Sequence, residues 1–103
     1  MAPPKLTAEQ RAAALEKAAK ARRARAEMTE LLKTGSISFP KLLETAASDE
    51  LIAGMKVSAV LSSMPGTGKI KAKRLMETLG IADNRRIRGL GERQRAALLE
   101  EFS

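Results

Sequence analysis

The sequence predicts an all-α fold, a long N-terminal helix followed by a small helical domain. Three observations carry this. Residues 8 to 33 are dense in Ala, Leu, Glu, Lys and Arg, all strong helix formers, with no Pro or Gly until Gly35. Val57, Val60, Leu61 and Met64 fall at i, i+3, i+4, i+7, and Ala72, Leu75, Met76 and Leu79 repeat that spacing. No segment alternates convincingly with period two.

The elements follow in order. Thr7-Ala8-Glu9-Gln10 reads as a capping box opening the first helix, placed at residues 8–33. Its apolar face is mostly alanine at first and thickens at Ala24, Met28, Leu31 and Leu32. The expected picture is a docked C-terminal end and a projecting, solvated N-terminal half. Thr34-Gly35-Ser36 ends this helix. Ser38 caps the second, with Phe39 and Pro40 in its first turn and Leu42, Leu43, Ala46 and Ala47 on its buried side. Ser48 or Asp49 caps a short third segment bearing Leu51 and Ile52, and Gly54 closes it. Pro65 stops the helix of the Val57 stripe, and Gly80 stops the next. Asp83-Asn84 opens a loop holding Arg85, Arg86 and Arg88, and Gly89-Leu90-Gly91 leads into a last helix with Leu98, Leu99 and Phe102. Two units are expected: 1–35, a tail and the long basic helix, and 36–103, a helical domain.

At 103 residues the chain makes at most one ordinary domain. A net charge of +7 and a pI near 10.3 point to a polyanion, with nucleic acid the leading candidate. The charge is uneven: Lys and Arg exceed Asp and Glu by 8 to 4 in residues 1–33 and by 9 to 5 in residues 65–103, while residues 34–64 hold 2 against 3. The middle reads as scaffold, and the ends carry two basic surfaces. No run of about 18 apolar residues exists to span a bilayer. Met1-Ala2-Pro3-Pro4-Lys5 lacks an apolar signal-peptide core, so the cytoplasm is the expected compartment. With no Cys and no His, disulfides and the usual zinc ligands are excluded, and no cofactor is expected. Phe39 and Phe102 are the whole aromatic complement. Single-strand binders stack bases on aromatic platforms, so duplex backbone recognition is favoured here.

The strongest local signal is Met64-Pro65-Gly66-Thr67-Gly68-Lys69-Ile70-Lys71-Ala72. A turn with two glycines opens straight into a basic amphipathic helix. Glycine permits positive φ and close backbone approach, and a helix N-terminus offers unpaired N–H groups to an anion. A nucleotide P-loop fails on spacing, because Ser63 stands where its first glycine belongs and Ile70 where its Ser or Thr belongs. A helix-hairpin-helix type turn fits better: an apolar Met64 precedes Pro-Gly-x-Gly, and small Ala72 lets the helices cross closely. Such turns hold a nucleic-acid phosphate on backbone amides. The alternative is an ordinary tight turn between core helices, with solvated lysines. The expected DNA-binding residues here are Gly66, Thr67, Gly68, Lys69 and Lys71, with Lys56 in support.

The second signal is Arg85-Arg86-Ile87-Arg88-Gly89-Leu90-Gly91. Ile87 is expected to anchor the loop, leaving Arg85, Arg86 and Arg88 for DNA, since arginine can enter a narrow minor groove or fork onto a guanine edge; the alternative is a solvated loop. Gly89-x-Gly91 weakly echoes Gly66-x-Gly68 and suggests a second phosphate nest that would include Gly89. The third is the long helix, whose Arg11, Lys17, Lys20, Arg22, Arg23 and Arg25 point round most of its circumference. They suit either a solvated helix or a second, nonspecific duplex contact. Catalysis finds little support. A proline nucleophile of the kind some DNA glycosylases use would fall on Pro3 or Pro4, behind Met1-Ala2, and no zinc finger can be built without cysteine.

Residues 6–18, the region from Met55-Lys56-Val57-Ser58 to Lys69-Ile70-Lys71-Ala72, and residues 85–95 together resemble the actinobacterial-type integration host factor, over nearly the whole chain. That family is unrelated to the two-subunit β-ribbon host factors sharing its name. The resemblance implies a small monomeric nucleoid-associated protein with a helix-two-turns-helix module similar to that of ribosomal protein S13. It implies duplex DNA as partner with little sequence preference, a role in DNA architecture, and phage integrase complexes as further partners. Carried over, the phosphate-binding turn lands on Gly66, Thr67, Gly68 and Lys69, and the arginine cluster on Arg85, Arg86 and Arg88. Two other readings share these features: a ribosome-associated or RNA-binding protein, and a sensor of a small phosphorylated or nucleotide ligand.

Overall fold

The computed structural model describes residues 7–102. Pro3 and Pro4, the tail of the first expected unit, and Leu6 at the head of the first family-like stretch lie outside the described residues. Among the described residues six α-helices follow one another: α1 Ala8–Lys33, α2 Phe39–Ser48, α3 Glu50–Ala53, α4 Val57–Ser63, α5 Gly68–Leu79 and α6 Glu92–Glu101. A short 3-10 turn, Ile87–Gly89, precedes α6. The fold is all-α. The described residues form no strand, and the one β-type pairing among them is an isolated antiparallel bridge between Lys56 and Arg86.

Local chemistry sets the helix starts. At α1, Thr7 Oγ1 accepts from the Gln10 N–H and Gln10 Oε1 accepts from the Thr7 N–H, each at 3.0 Å. At α2, Ser38 Oγ accepts from the Lys41 N–H at 3.3 Å, with Pro40 in the first turn. At α3 the cap is Asp49, whose Oδ1 accepts from the Leu51 N–H at 2.9 Å, whereas the Ser48 hydroxyl turns back to the Thr45 carbonyl. At α6, Gln94 Oε1 accepts from the Gly91 N–H at 3.0 Å. Pro65 disfavours helical backbone at Met64, which stands extended at φ −65°, ψ 138° and ends α4.

The core joins Leu32, Phe39, Leu42, Val57, Val60, Leu61 and Leu98 with Met76 and Ile87, all buried. Burying each such side chain contributes about 1.5–3 kcal/mol. Phe39 and Phe102 pack ring to ring at 5.4 Å, so both aromatics are spent inside the fold. Of α1, only Met28 and Leu32 are buried; every residue from Thr7 to Ala18 is exposed. The helix therefore docks its C-terminal end on α3 and α4 and projects the rest. At about 1.5 Å per residue it runs about 39 Å, which sets the long dimension of a 48 × 32 × 25 Å molecule. Leu31 and Ala47, expected on buried faces, are exposed. Leu31 neighbours Leu32 but is turned about 100° from it, and the core is too small to cover both. No helix among the described residues is long and apolar enough to cross a membrane.

Candidate nucleic-acid interface

The glycine turn has the geometry its residues call for. Gly66 and Gly68 both stand at positive φ, +75° and +66°, with Thr67 in the right-handed region between them. Alternating left- and right-handed backbone turns successive N–H groups toward one concave side, the shape of an anion nest. A Cβ on either glycine would meet nothing within 4 Å, so conformation and not crowding demands glycine at both. The turn is closed by the Thr67 N–H donating to the Met64 carbonyl at 3.1 Å.

The helix that follows starts without a side-chain cap. Thr67 occupies the N-cap position of α5, is 8% exposed, and makes no capping hydrogen bond. The starts of α1, α2 and α3 are closed by Thr7, Ser38 and Asp49, while α4 and α6, like α5, start without a side-chain cap. The first N–H groups of α5, at Gly68, Lys69 and Ile70, are thus left to an outside acceptor. Thr67, expected to contact a ligand, is buried, and its N–H is spent on closing the turn. Lys69 and Lys71 are exposed in the first turn of this helix, and Lys73 and Arg74 in the second. Among the described residues no site cation has a carboxylate within 4.0 Å, and Asp83 is the acidic residue lining the groove beside Lys69 and Lys73.

The arginine loop is built against the N-terminal end of α4. The Val57 N–H donates to the Arg85 carbonyl and the Ile87 N–H to the Met55 carbonyl, each at 2.9 Å. Buried Ile87 pins the loop to the core, as its lone apolar position suggested. Lys56 and Arg86 face each other across the bridge. Arg86, half-buried, donates through Nη1 to the Gly54 carbonyl. Arg85, also half-buried, donates through Nη1 to the Gly89 carbonyl at 2.6 Å. Arg88 is exposed. The three arginines are therefore unequal: Arg85 and Arg86 hold the loop's shape with part of their donor set, and Arg88 is free to reach outward.

Gly89 does not repeat the first turn. Among the described residues the positive-φ positions are Gly35, Gly66, Gly68 and Gly80, and neither Gly89 nor Gly91 is one of them. Gly89 is small for another reason: a Cβ there would sit 2.9 Å from Cδ of Arg85. It gives the arginine room to lie across the 3-10 turn.

Lys56 precedes α4 and the glycine turn follows it, so the two basic clusters lie at opposite ends of one seven-residue helix, about 10 Å long. Two further cations, Lys73, read from the sequence as part of the basic run after the turn, and Arg95, stand beside the expected set. Lys73 joins Lys69 along a 520 Å³ groove between α4 and α5, lined also by Ala59, Ala72, Met76 and Asp83. Arg95 joins Arg88 along a depression against α2. The extended residues Leu90 and Gly91 separate Arg88 from Arg95, so no single helical periodicity links them in the sequence. Arg11, Lys17, Lys20, Arg22, Arg23 and Arg25 are all exposed on the projecting part of α1, away from the α4 ends.

Fold and turn define an S13-like helix-two-turns-helix protein: the S13-like H2TH domain matches residues 32–102, from the docked end of α1 to the end of α6. The chain is 59% identical over 102 residues to the integration host factor of Mycobacterium tuberculosis, covering 99% of this chain and 97% of that one. It is 54% identical over 102 residues to the integration host factor of Streptomyces coelicolor, covering 99% and 95%. It superposes with a TM-score of 0.82 on a structure of sIHF bound to an 8-bp palindromic DNA, at 49% identity, covering 85% of this chain and 99% of that one. The chain belongs to the actinobacterial-type integration host factor family.

Proposed function

We propose that this protein is a nucleoid-associated duplex-DNA-binding protein of low sequence specificity, acting by binding and not by catalysis. The observation that carries the reading is the uncapped start of α5 behind the Gly66–Gly68 turn, with Lys69 and Lys71 exposed beside it. One DNA strand is gripped through the backbone N–H groups of Gly66, Gly68 and Lys69, aided by the side chains of Lys56, Lys69 and Lys71. Arg88, with Arg85 and Arg86 behind it, reaches the neighbouring groove or phosphates at the other end of α4. These contacts position the protein without reading many bases. The DNA-bound sIHF structure supports duplex DNA as the partner.

The unit at 36–103 carries this grip, and the 1–35 unit serves as a second, nonspecific contact through Arg11, Lys20, Arg22, Arg23 and Arg25. A molecule holding duplex at both sites constrains DNA shape, which is the service a phage integrase complex needs from a host factor. The nucleoid is the matching location. The test is affinity for several 20-bp duplexes of unrelated sequence, beside a Lys69→Ala/Lys71→Ala/Arg88→Ala variant. Similar affinities for all duplexes, all weakened in the variant, support the reading; a single preferred sequence contradicts it.

The groove lined by Lys69 and Lys73 supports a second reading, a small phosphorylated ligand seated beside the same turn. A thermal-shift screen of free nucleotides tests it, since a ligand that favours the folded state raises the Tm.

A further inference from the structure

Ile70 is 74% exposed, the most exposed of the large hydrophobic side chains among the described residues. It lies in the first turn of α5, between Lys69 and Lys71, and its N–H is one of the unpaired donors at that helix start. On the helix wheel it stands about 160° from Ala72, so it takes no part in the core stripe of Ala72 and Met76. An exposed β-branched apolar residue at the centre of a cationic surface contributes nothing to the fold and little to solubility. It is placed where a phosphate held by the turn would bring its flanking sugars.

We infer that Ile70 packs against deoxyribose beside the gripped phosphate and sets a preference for DNA over RNA. The inference rests on the duplex-binding reading above. A phosphate seated on the α5 N–H groups has a sugar on each side, within reach of a side chain in the same helical turn. The C2′ methylene of deoxyribose is apolar and suits an aliphatic partner. A ribose 2′-hydroxyl in that place would lose water and find no hydrogen-bond partner on isoleucine. Sugar carbons are the same at every base, so the contact adds affinity without adding sequence preference. It neutralises no phosphate, so it leaves the salt dependence unchanged.

The experiment compares wild type, Ile70→Thr, Ile70→Val and Lys69→Ala on one 20-bp sequence made as DNA and as RNA, over a salt series that starts low enough for both to bind. Thr keeps the branched shape and supplies a hydroxyl; Val keeps the apolar surface. Equal Tm values check that the isoleucine variants fold alike. The expected result is a five- to tenfold narrowing of the DNA-to-RNA affinity ratio in Ile70→Thr, with an unchanged salt slope, and a retained ratio in Ile70→Val. An unchanged ratio in Ile70→Thr, or a narrowed ratio with a flatter slope, overturns the inference while Lys69→Ala still flattens the slope. Absence of salt-dependent DNA binding by the wild type overturns the duplex-binding reading itself, and this inference with it.

Discussion

Arg86 donates a guanidinium hydrogen bond to the carbonyl of Gly54, 32 residues earlier in the chain. The bond ties the arginine loop to the residues that lead into α4, and the Lys56–Arg86 bridge lies directly beside it. One residue thus shapes the loop and adds charge to it. Arg86→Ala is expected to destabilise the protein by about 1.5–3 kcal/mol, the range for hydrogen bonds to charged groups. It should also weaken binding to every duplex. Arg86→Lys keeps the charge but not the fork, so it should recover binding more fully than stability. Urea unfolding and duplex titration of both variants check this, and equal stability of Arg86→Ala and wild type would contradict it.

The glycine turn makes a different demand. Gly66→Ala and Gly68→Ala each place a Cβ at positive φ, at a cost of about 1–2 kcal/mol, although each Cβ would point into open space. The strain pulls the turn away from its alternating geometry, so DNA affinity should fall along with stability. Gly66→Asn, which tolerates the left-handed region better, should lose less of both. Chemical denaturation ranks the three variants.

At Gly89 the expected outcome is smaller. A Cβ there meets Arg85 Cδ at 2.9 Å, but that atom belongs to a flexible side chain that can swing aside. Gly89→Ala should cost less than about 1 kcal/mol, as for an ordinary surface substitution, while breaking the Arg85 bond to the Gly89 carbonyl. Any loss of affinity then reports the freed arginine. A loss of stability as large as that at Gly66 would show that Gly89 has a backbone role.

The helices and their ends were legible in the sequence because local chemistry decides them. The capping box at Thr7 and the serine cap at Ser38 both lie within four residues of what they stabilise. The Ile87 anchor was legible for a similar reason: a lone apolar residue among arginines can face only inward. What the sequence hid is long-range. Nothing near Arg86 announces a carbonyl 32 residues away, and nothing near Gly89 announces the Arg85 side chain lying over it. The pairing of the 85–87 loop with residues 55–57 is non-local, and it is what divides the three arginines into two that hold shape and one that is free. Leu31 shows the limit of pattern reading in a chain this small, since its apolar neighbourhood is real but the core ends at Leu32.

The long helix gives a prediction that separates charge from fold. Arg22, Arg23 and Arg25 are exposed, and the one hydrogen bond among them joins Arg25 Nε to the carbonyl of Ala21 in its own helix. Changing all three to Ala should leave Tm unchanged or slightly raised, because Ala is the better helix former. Bridging of two duplexes, read by co-precipitation of labelled DNA with immobilised DNA, should fall sharply. Persistence of bridging would assign the second contact elsewhere.

The central claim is that cations at the two ends of α4 neutralise DNA phosphates, and its most direct test is the salt dependence of affinity for one random 20-bp duplex. With about five phosphates neutralised, log affinity should fall against log salt with a slope of about −4.5. In Lys69→Ala/Lys71→Ala/Arg88→Ala the slope should flatten to about −1.8. A wild-type slope near zero, or a steep slope that the triple variant keeps, would contradict the account.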